Sequence, residues 1–418
     1  MASQPFLVGR GAIFCRGCLG KKLFSGLDLG DLPIANELLI TADAKIEKFP
    51  LHLRICTECG LGQVADVVTP ERIFRDYRYL SSVSSTFLKH ASDFVTQLAD
   101  RFSFSKDDWV LEIASNDGYL LKNFMPLGIK VIGIEPAENV AEISRSLGIE
   151  TISDFFSSNL ANELLVRYGH PKMIIANNVM AHVPDLNDFV MGLSILAGSE
   201  TKISIENPSL ANILLDLQFD TIYHEHYSYL SATAVDRISQ IHGLELFSVE
   251  ELLIHGGSNR YWLRRLKDSN TVDHSVDKVK KSEKEMRLFE ESSWLNLSLT
   301  VSSLLSDFQK WLTLKDKEGS RVFGYGAAAK ASTILNSIDV NSSELVLGIA
   351  DLSLEKQGRF MPPFGINIIS IESLVSSNPT DIVIFPWNIK KEIAEQLRSQ
   401  LDERVRLWCA IPDMHEVV

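Results

Sequence analysis

Four short apolar runs in the middle of the chain share one design. Each closes on small, acidic or amide residues, and a helical stretch separates it from the next. Trp109-Val-Leu-Glu-Ile-Ala runs into Ser115-Asn116-Asp117-Gly118, and Val131-Ile-Gly-Ile closes on Glu135-Pro136. Met173-Ile-Ile-Ala closes on Asn177-Asn178, and Lys202-Ile-Ser-Ile on Glu206-Asn207-Pro208. Apolar strands alternating with helices predict a parallel, doubly wound sheet with its ligand at the carboxyl ends of the strands. From Asp268 to Lys315 the apolar positions take helical spacing: Trp294, Leu297, Leu299, Val301, Leu304, Leu305, Phe308 and Trp311. One or two amphipathic connecting helices are expected there, their charges facing solvent. The alternation resumes at Arg321-Val-Phe-Gly-Tyr-Gly326 and continues through Val346–Asp351, Asp381–Pro386 and Val405–Ala410. A second, smaller Rossmann-like domain follows from it.

Composition narrows the function classes. The 418 residues are 45% hydrophobic and 23% charged, an ordinary soluble balance for two or three domains. The net charge of −13 gives little attraction to nucleic acid, so none is expected as partner. No run is long and apolar enough for a membrane span, and the start MASQPFLVGRG lacks a signal peptide's pattern. A cytoplasmic location is expected, with no membrane partner. The oligomeric state stays open, a monomer included.

Of five cysteines, four form two C-x-x-C pairs, Cys15/Cys18 and Cys56/Cys59. Two such turns supply the four thiolates of a tetrahedral zinc site, and Gly20 and Gly60 close behind suit tight knuckles. Neither pair sits at the strand-to-helix start of a redox motif. Four sulfur ligands leave no open coordination position, so the zinc is expected to be structural.

The turn at Ser115–Gly118 carries one glycine beside an acidic residue, and it lacks G-x-G-x-x-G. Such a turn suits a cationic ligand better than a pyrophosphate. S-adenosylmethionine, with its sulfonium and ammonium, is the cofactor expected. Glu135, about 20 residues on, is placed to take its ribose hydroxyls. The candidate donor-binding residues are Glu112, Ser115, Asn116, Asp117, Gly118, Glu135, Asp154 and Asn177.

Tyr223-His224-Glu225-His226-Tyr227 is too polar for a core strand. In an extended segment His224 and His226 share one face, and Tyr223, Glu225 and Tyr227 the other. A polar network bracing a loop is the alternative to a reactive site. Asn178 and His182 have helical i, i+4 spacing, which would direct both toward the cofactor edge; His182 alone suits a packing role equally. In the C-terminal domain Gly324, Gly326 and Lys330 offer a pyrophosphate cradle, with a packing turn as the alternative.

The turn Glu112-Ile-Ala-Ser-Asn-Asp-Gly118 resembles the E-I-G-S-N-D-G turn of the nucleotide-sugar C-methyltransferases, zinc-containing S-adenosylmethionine-dependent deoxysugar 3-C-methyltransferases. The likeness extends through the paired C-x-x-C, Tyr77-Arg-Tyr79-Leu-Ser-Ser82, Asn178-Val-Met-Ala-His182 and Tyr223-His-Glu-His-Tyr227. It continues through His255-Gly-Gly-Ser258, Gly324-Tyr-Gly-Ala-Ala-Ala-Lys330 and Lys356-Gln-Gly-Arg359, covering about residues 12 to 410. Ala114 replaces the family's usual glycine. The resemblance implies an α/β chain with a zinc-binding domain (1–75), a class I methyltransferase Rossmann-like domain (76–267) and a helical connector with a second Rossmann-like domain (268–418). It implies methylation, at C3, of a nucleotide-diphosphate 4-keto-deoxysugar.

Carbon carries no lone pair, so such a reaction needs a base to form an enolate, donors for the enolate oxygen and close alignment. The resemblance makes His226 that base, with Glu225 and Tyr223 around it, and places Asn178 and His182 near the enolate oxygen. Tyr77 or Tyr79 covers the site. His224, Tyr227, Lys330 and Arg359 are the candidate substrate-binding residues. A base of neutral pKa is expected, with activity rising as the imidazole loses its proton. The rivals are an NAD-dependent sugar-nucleotide dehydrogenase or epimerase and a silent binding protein of the same fold. The dehydrogenase would need a Tyr-x-x-x-Lys pair on a helix, and the candidate Tyr168-Gly-His-Pro-Lys172 is interrupted by Gly and Pro.

Overall fold

The computed structural model describes residues 14–65, 68–74, 80–266, 271–338 and 341–417. Near the N-terminus, β1 (Leu23–Leu32) and β2 (Phe49–Cys56) pair antiparallel, and β2 passes to the short β3 (Gly62–Gln63). The central sheet then begins with β4 (Trp109–Ile113), β5 (Lys130–Ile134), β6 (Glu150–Ile152), β7 (Met173–Asn177) and β8 (Lys202–Pro208), all parallel. The two-residue β9 (Ser228–Tyr229) returns to pair with β3, which ties the N-terminal sheet to the middle of the chain. The antiparallel hairpin of β10 (Leu244–Leu252) and β11 (Ser258–Arg265) completes the central sheet, in the order β10-β11-β8-β7-β4-β5-β6. Strand order reverses between β4 and β7, which marks the ligand crevice of an open α/β sheet. This is the doubly wound Rossmann-like sheet anticipated above.

Two helices connect it to the last sheet, His274–Glu285 and Glu291–Lys317. The long helix buries Trp294, Leu297, Val301, Leu304, Phe308 and Leu312, whose steps of three and four form one apolar stripe. Leu299, expected on that stripe, is 65% exposed, because it falls on the opposite side of the turn. The C-terminal sheet holds β12 (Val322–Tyr325), β13 (Ile349–Ala350), β14 (Phe360–Met361), β15 (Ile366–Ile369), β16 (Asp381–Ile384), β17 (Arg406–Cys409) and β18 (His415–Glu416). Its order is β14-β15-β13-β12-β16-β17-β18, parallel except for the two edges, with reversal between β12 and β16.

The core binds the N-terminal sheet to both neighbours. Cys15, Cys56, Cys59 and Leu61 pack in one cluster with the central-sheet residues Ile203, Ile205 and Tyr261 and with Val235 and Ile238 of helix Ala232–Ile241. A Cβ on Gly17 would lie 2.6 Å from Ile238 Cδ1, so glycine between the first two cysteines permits this close approach. Leu27, Leu51 and Leu53 share a second cluster with Trp294 and with Val383 and Phe385 of the C-terminal sheet.

Candidate active site

The four paired cysteines converge. Their sulfurs all lie within 4.8 Å of one another, with Cys15–Cys59 at 3.4 Å and Cys18–Cys56 at 3.7 Å. Zinc–sulfur bonds of about 2.3 Å at tetrahedral angles require spacings of this size. Crowding sets the thiols against each other: Cys15 is pushed up, first by its neighbour Cys56, while Cys56 is drawn down, first by Cys15. A divalent cation removes that conflict, and Zn²⁺ fits the set. Gly60, at φ +78°, closes the second knuckle in a conformation that favours glycine.

The turn after β4 is built to keep polar atoms unpaired. Ala114, Asn116 and Gly118 all have positive φ (54°, 50° and 78°), which folds the backbone tightly over the strand ends. Glu135 Oε2 accepts from the Asn116 backbone N–H (3.0 Å) and Oε1 from that of Ala137 (2.9 Å), so the carboxylate is fixed at the end of β5. Burial raises it to about 7. Burial, then Asp117 and Glu135, push Glu112 well above the usual carboxylate range. Asn116 Oδ1 and Asp117 Oδ2 accept from the backbone N–H groups of Ser81 (2.8 Å) and Ser82 (3.2 Å), and so are covered by the segment ahead of helix Ser85–Arg101. Glu112 Oε2, Asp117 Oδ1, Ser115 Oγ and Asn177 Oδ1 are buried without a hydrogen-bond partner. An acidic pocket with orphaned oxygens at the switch point fits a ligand bearing an ammonium and a sulfonium. Asp154 lies exposed just past β6, where its Oδ1 accepts from the Phe155 N–H.

The Tyr-His-Glu-His-Tyr block is a tight turn, not an extended segment: the His226 N–H bonds Tyr223 O at 3.0 Å. The turn separates the two histidines that alternation placed together and joins Tyr223 to His226 instead. Tyr223 OH lies 2.9 Å from His226 Nε2, with ring centroids 4.1 Å apart. His226 Nδ1 faces Thr221 O at 3.0 Å, and a carbonyl only accepts, so Nδ1 carries the proton and Nε2 the lone pair. The same logic puts the His182 proton on Nδ1, 2.7 Å from Glu225 O. The two imidazoles meet at 4.6 Å between centroids.

Within the block only Tyr223 and His226 keep exposed surface. His224 donates from Nε2 to Phe49 O (3.1 Å) under β2, and Tyr227 OH donates to Val68 O (2.6 Å). Glu225 is buried, and its Oε1 accepts from both the N–H and Nδ2 of Asn36. Burial pushes His182 down to about 4. Burial, then His182 and Lys330, hold His226 well below histidine's ordinary range. This corrects the expected neutral pKa: burial beside a second imidazole and a cation favours the uncharged ring. The expected helical face for Asn178 and His182 is also corrected. Asn178 has φ 54°, its N–H bonds Glu206 O at 2.6 Å, and Met180–His182 is a single 3-10 turn.

The C-terminal domain meets this turn from the other side. Helix Ala329–Asn336 places Thr333 Oγ1 3.2 Å from Ile222 O, and Trp387 Nε1 donates to Asp220 Oδ2 at 2.8 Å. Lys330 lies over the Trp387 ring (3.8 Å to its centroid) and 3.3 Å from Asn388 Oδ1. The reversal points of both sheets thus open on the block. Arg359 is half-buried after the Lys356 turn, with Nε donating to Glu355 O. Tyr77 and Tyr79 lie outside the described residues. The sequence reading missed Asn36, Asp220, Trp387 and Asn207, whose two side-chain polar atoms are buried and unpaired. A tryptophan and an amide directly after the fourth parallel strand of the last sheet were the available signal for Trp387 and Asn388.

Three family models match consecutive stretches: "Putative zinc binding domain" over 15–74, "Methyltransferase domain" over 87–249 and "C-methyltransferase C-terminal domain" over 253–412. C-methyltransferase NovU from Streptomyces niveus is 28% identical over 401 residues, 96% of this chain and 95% of its own. Among solved structures, magnesium protoporphyrin IX methyltransferase (ChlM) from Synechocystis PCC 6803 with bound SAM is 12% identical, at a TM-score of 0.33, over 43% of this chain and 79% of its own. A SAM-dependent methyltransferase from Anabaena variabilis is 15% identical at 0.33, over 41% of this chain and 84% of its own. At these scores the fold assignment rests on strand order and the domain matches. With the four-cysteine cluster, they identify S-adenosylmethionine and a structural zinc ion as the cofactors. The chain belongs to the zinc-containing, S-adenosylmethionine-dependent C-methyltransferases.

Proposed function

We propose that the acceptor is a nucleotide-diphosphate 4-keto-deoxysugar, methylated at C3 through a base-generated enolate in the cytoplasm. The observation that carries this reading is the Tyr223–His226–His182 cluster, half-open between the reversal points of two nucleotide-type sheets. Two such sheets suit two ligands, with residues 76–267 holding the donor and 268–418 the sugar nucleotide. The zinc-binding domain braces the turn between them, through Asn36 on Glu225 and Phe49 on His224. The name of the NovU relative supports carbon as the methylated atom, and the family resemblance supports the sugar.

When bound, S-adenosylmethionine supplies an electrophilic methyl group. Glu112, Asp117 and Asn177 would hold its amino-acid end, and Glu135 its ribose. His226 Nε2 has a lone pair, and Thr221 O fixes the ring, so this nitrogen takes the proton beside the acceptor's carbonyl. Tyr223 occupies Nε2 in the free protein; displaced by the acceptor, its hydroxyl becomes a donor for the enolate oxygen. Asn178 and His182 border the same opening. Neither glycine turn favours the dehydrogenase alternative, and helix Ser158–Tyr168 ends before Lys172, so Tyr168 and Lys172 share no helical face.

Calorimetric titration tests the reading. S-adenosylhomocysteine and a thymidine-diphosphate 4-keto-6-deoxysugar should each bind, separately and together, and methyl transfer to the sugar should follow with S-adenosylmethionine. Binding of the first without the second would leave a methyltransferase with a different acceptor.

A further inference from the structure

Resting on that reading, we propose that Lys330 stabilises the enolate oxygen of the acceptor and does not contact its diphosphate.

The place where a diphosphate would meet the glycine turn is already filled. The Ala327 N–H donates to Asp351 Oδ2 (2.9 Å), and Ala327 O accepts from Lys356 Nζ (2.9 Å). The Gly326 N–H bonds Ala350 O at 2.7 Å, and Pro386 Cγ lies 2.4 Å from where a Gly326 Cβ would be. Asp351 Oδ2, with Lys356 Nζ 3.4 Å away, already sits where a diphosphate oxygen would meet that donor. The first donors of the glycine turn are thus spent inside the domain.

Lys330, one helical turn on, meets Trp387 and Asn388 instead. Its ammonium lies over Trp387, whose Nε1 holds Asp220, and Asp220 precedes Thr221, whose carbonyl fixes His226. The groups facing His226 are His182, Tyr223 and Tyr229 (centroids at 4.6, 4.1 and 5.9 Å) and Lys330. Those facing Lys330 are Asp220, Trp387, Asn388 and Cys409. Lys330 is the cation of the set; burial pulls its ammonium below the ordinary lysine range, and Asp220 works against that shift.

The proton-abstraction step creates negative charge at one atom. His226 Nε2 takes the proton, the C–H electron pair becomes the C=C bond, and the carbonyl π pair moves onto oxygen. A fixed cation on this side of the block stabilises that oxyanion without reorganising, and it adds to the burial that favours the neutral His226 ring.

Solvent exchange at the acidic C–H of a thymidine-diphosphate 4-keto-6-deoxysugar in D₂O, without methyl donor, reads this step directly. Lys330→Met should slow exchange about 10²–10³-fold, the usual effect of losing one oxyanion donor. The kinetic pKa of the base should move up, because a positive neighbour is gone, and thymidine diphosphate should bind as in the wild type. Lys330→Arg, which keeps the charge, should recover part of the rate and hold the pKa; it carries the test should the Met variant not fold. Exchange at wild-type rate in Lys330→Met, or in Lys330→Arg an upward pKa shift, would overturn the proposal. Loss of thymidine diphosphate affinity with normal exchange at saturation would make Lys330 a diphosphate ligand, and overturn it too. Failure of the wild type itself to exchange would instead reject the keto-sugar reading.

Discussion

Asn36 holds Glu225 at two points: its backbone N–H and its Nδ2 both donate to Oε1, at 3.0 and 3.1 Å. The loop after β1 thereby grips the turn that carries His226, and the Glu225 carbonyl in turn fixes the His182 ring. The cysteine-bearing N-terminal domain is part of the frame that holds the candidate site.

Removing the Asn36 amide should therefore act on turnover as well as stability. Asn36→Ala leaves a buried carboxylate with one donor fewer, costing about 1–3 kcal/mol by thermal or denaturant unfolding. The rate at saturating substrates should fall while S-adenosylhomocysteine affinity holds. An unchanged rate would show that Glu225 needs no second anchor.

Zinc should couple to the same frame. Arg16, between the first two cysteines, donates to Pro184 O (3.1 Å), and Asn187 Nδ2 donates to Arg16 O (2.7 Å), just beyond His182. Elemental analysis should find about one Zn²⁺ per chain, absent from Cys15→Ser and Cys56→Ser, with loss of solubility. Metal-free wild-type protein that keeps its melting temperature would contradict a structural site.

The donor site carries its own pH dependence. Glu135 is raised to about 7 in the free protein, so it is partly protonated at neutral pH, whereas ribose hydroxyls need the ionised form as acceptor. S-adenosylhomocysteine binding should tighten as pH rises through about 7, level off above it, and release a proton seen by calorimetry in two buffers. A carboxyl raised in this way stabilises the free fold below about 4.5 and loses that contribution as pH climbs to about 7. Glu135→Ala should weaken binding by about 1.5–3 kcal/mol and flatten the profile, with sugar-nucleotide affinity little changed. Equal loss of both ligands would mean the two sites are misassigned.

What the sequence made legible was local. Two matched C-x-x-C pairs announce a metal site by spacing, and the polar strand ends at Asn116, Glu135 and Asn177 announce a parallel sheet, because the interacting groups come from repeats of one geometry. The block around His226 announced its importance but not its shape. Alternation paired His224 with His226, while the turn sends His224 under β2 and pairs Tyr223 with His226. Asp220 and Trp387 meet across 167 residues, and Asn36 and Glu225 across 189, distances over which no periodicity speaks. Leu299 failed for a simpler reason: one apolar residue off the helical stripe is common on any surface.

The central claim is that His226 removes the proton beside the acceptor's carbonyl. Deuterium exchange into a thymidine-diphosphate 4-keto-6-deoxysugar, followed by mass spectrometry without methyl donor, measures this most directly. The wild type should exchange, with no loss of rate until pH falls well below histidine's ordinary range. His226→Asn should lose exchange and methyl transfer together, by about 10²–10⁴-fold, with donor affinity intact. Near-normal exchange in His226→Asn, alongside its abolition in His224→Ala or Glu225→Ala, would contradict the account and move the base to a neighbour.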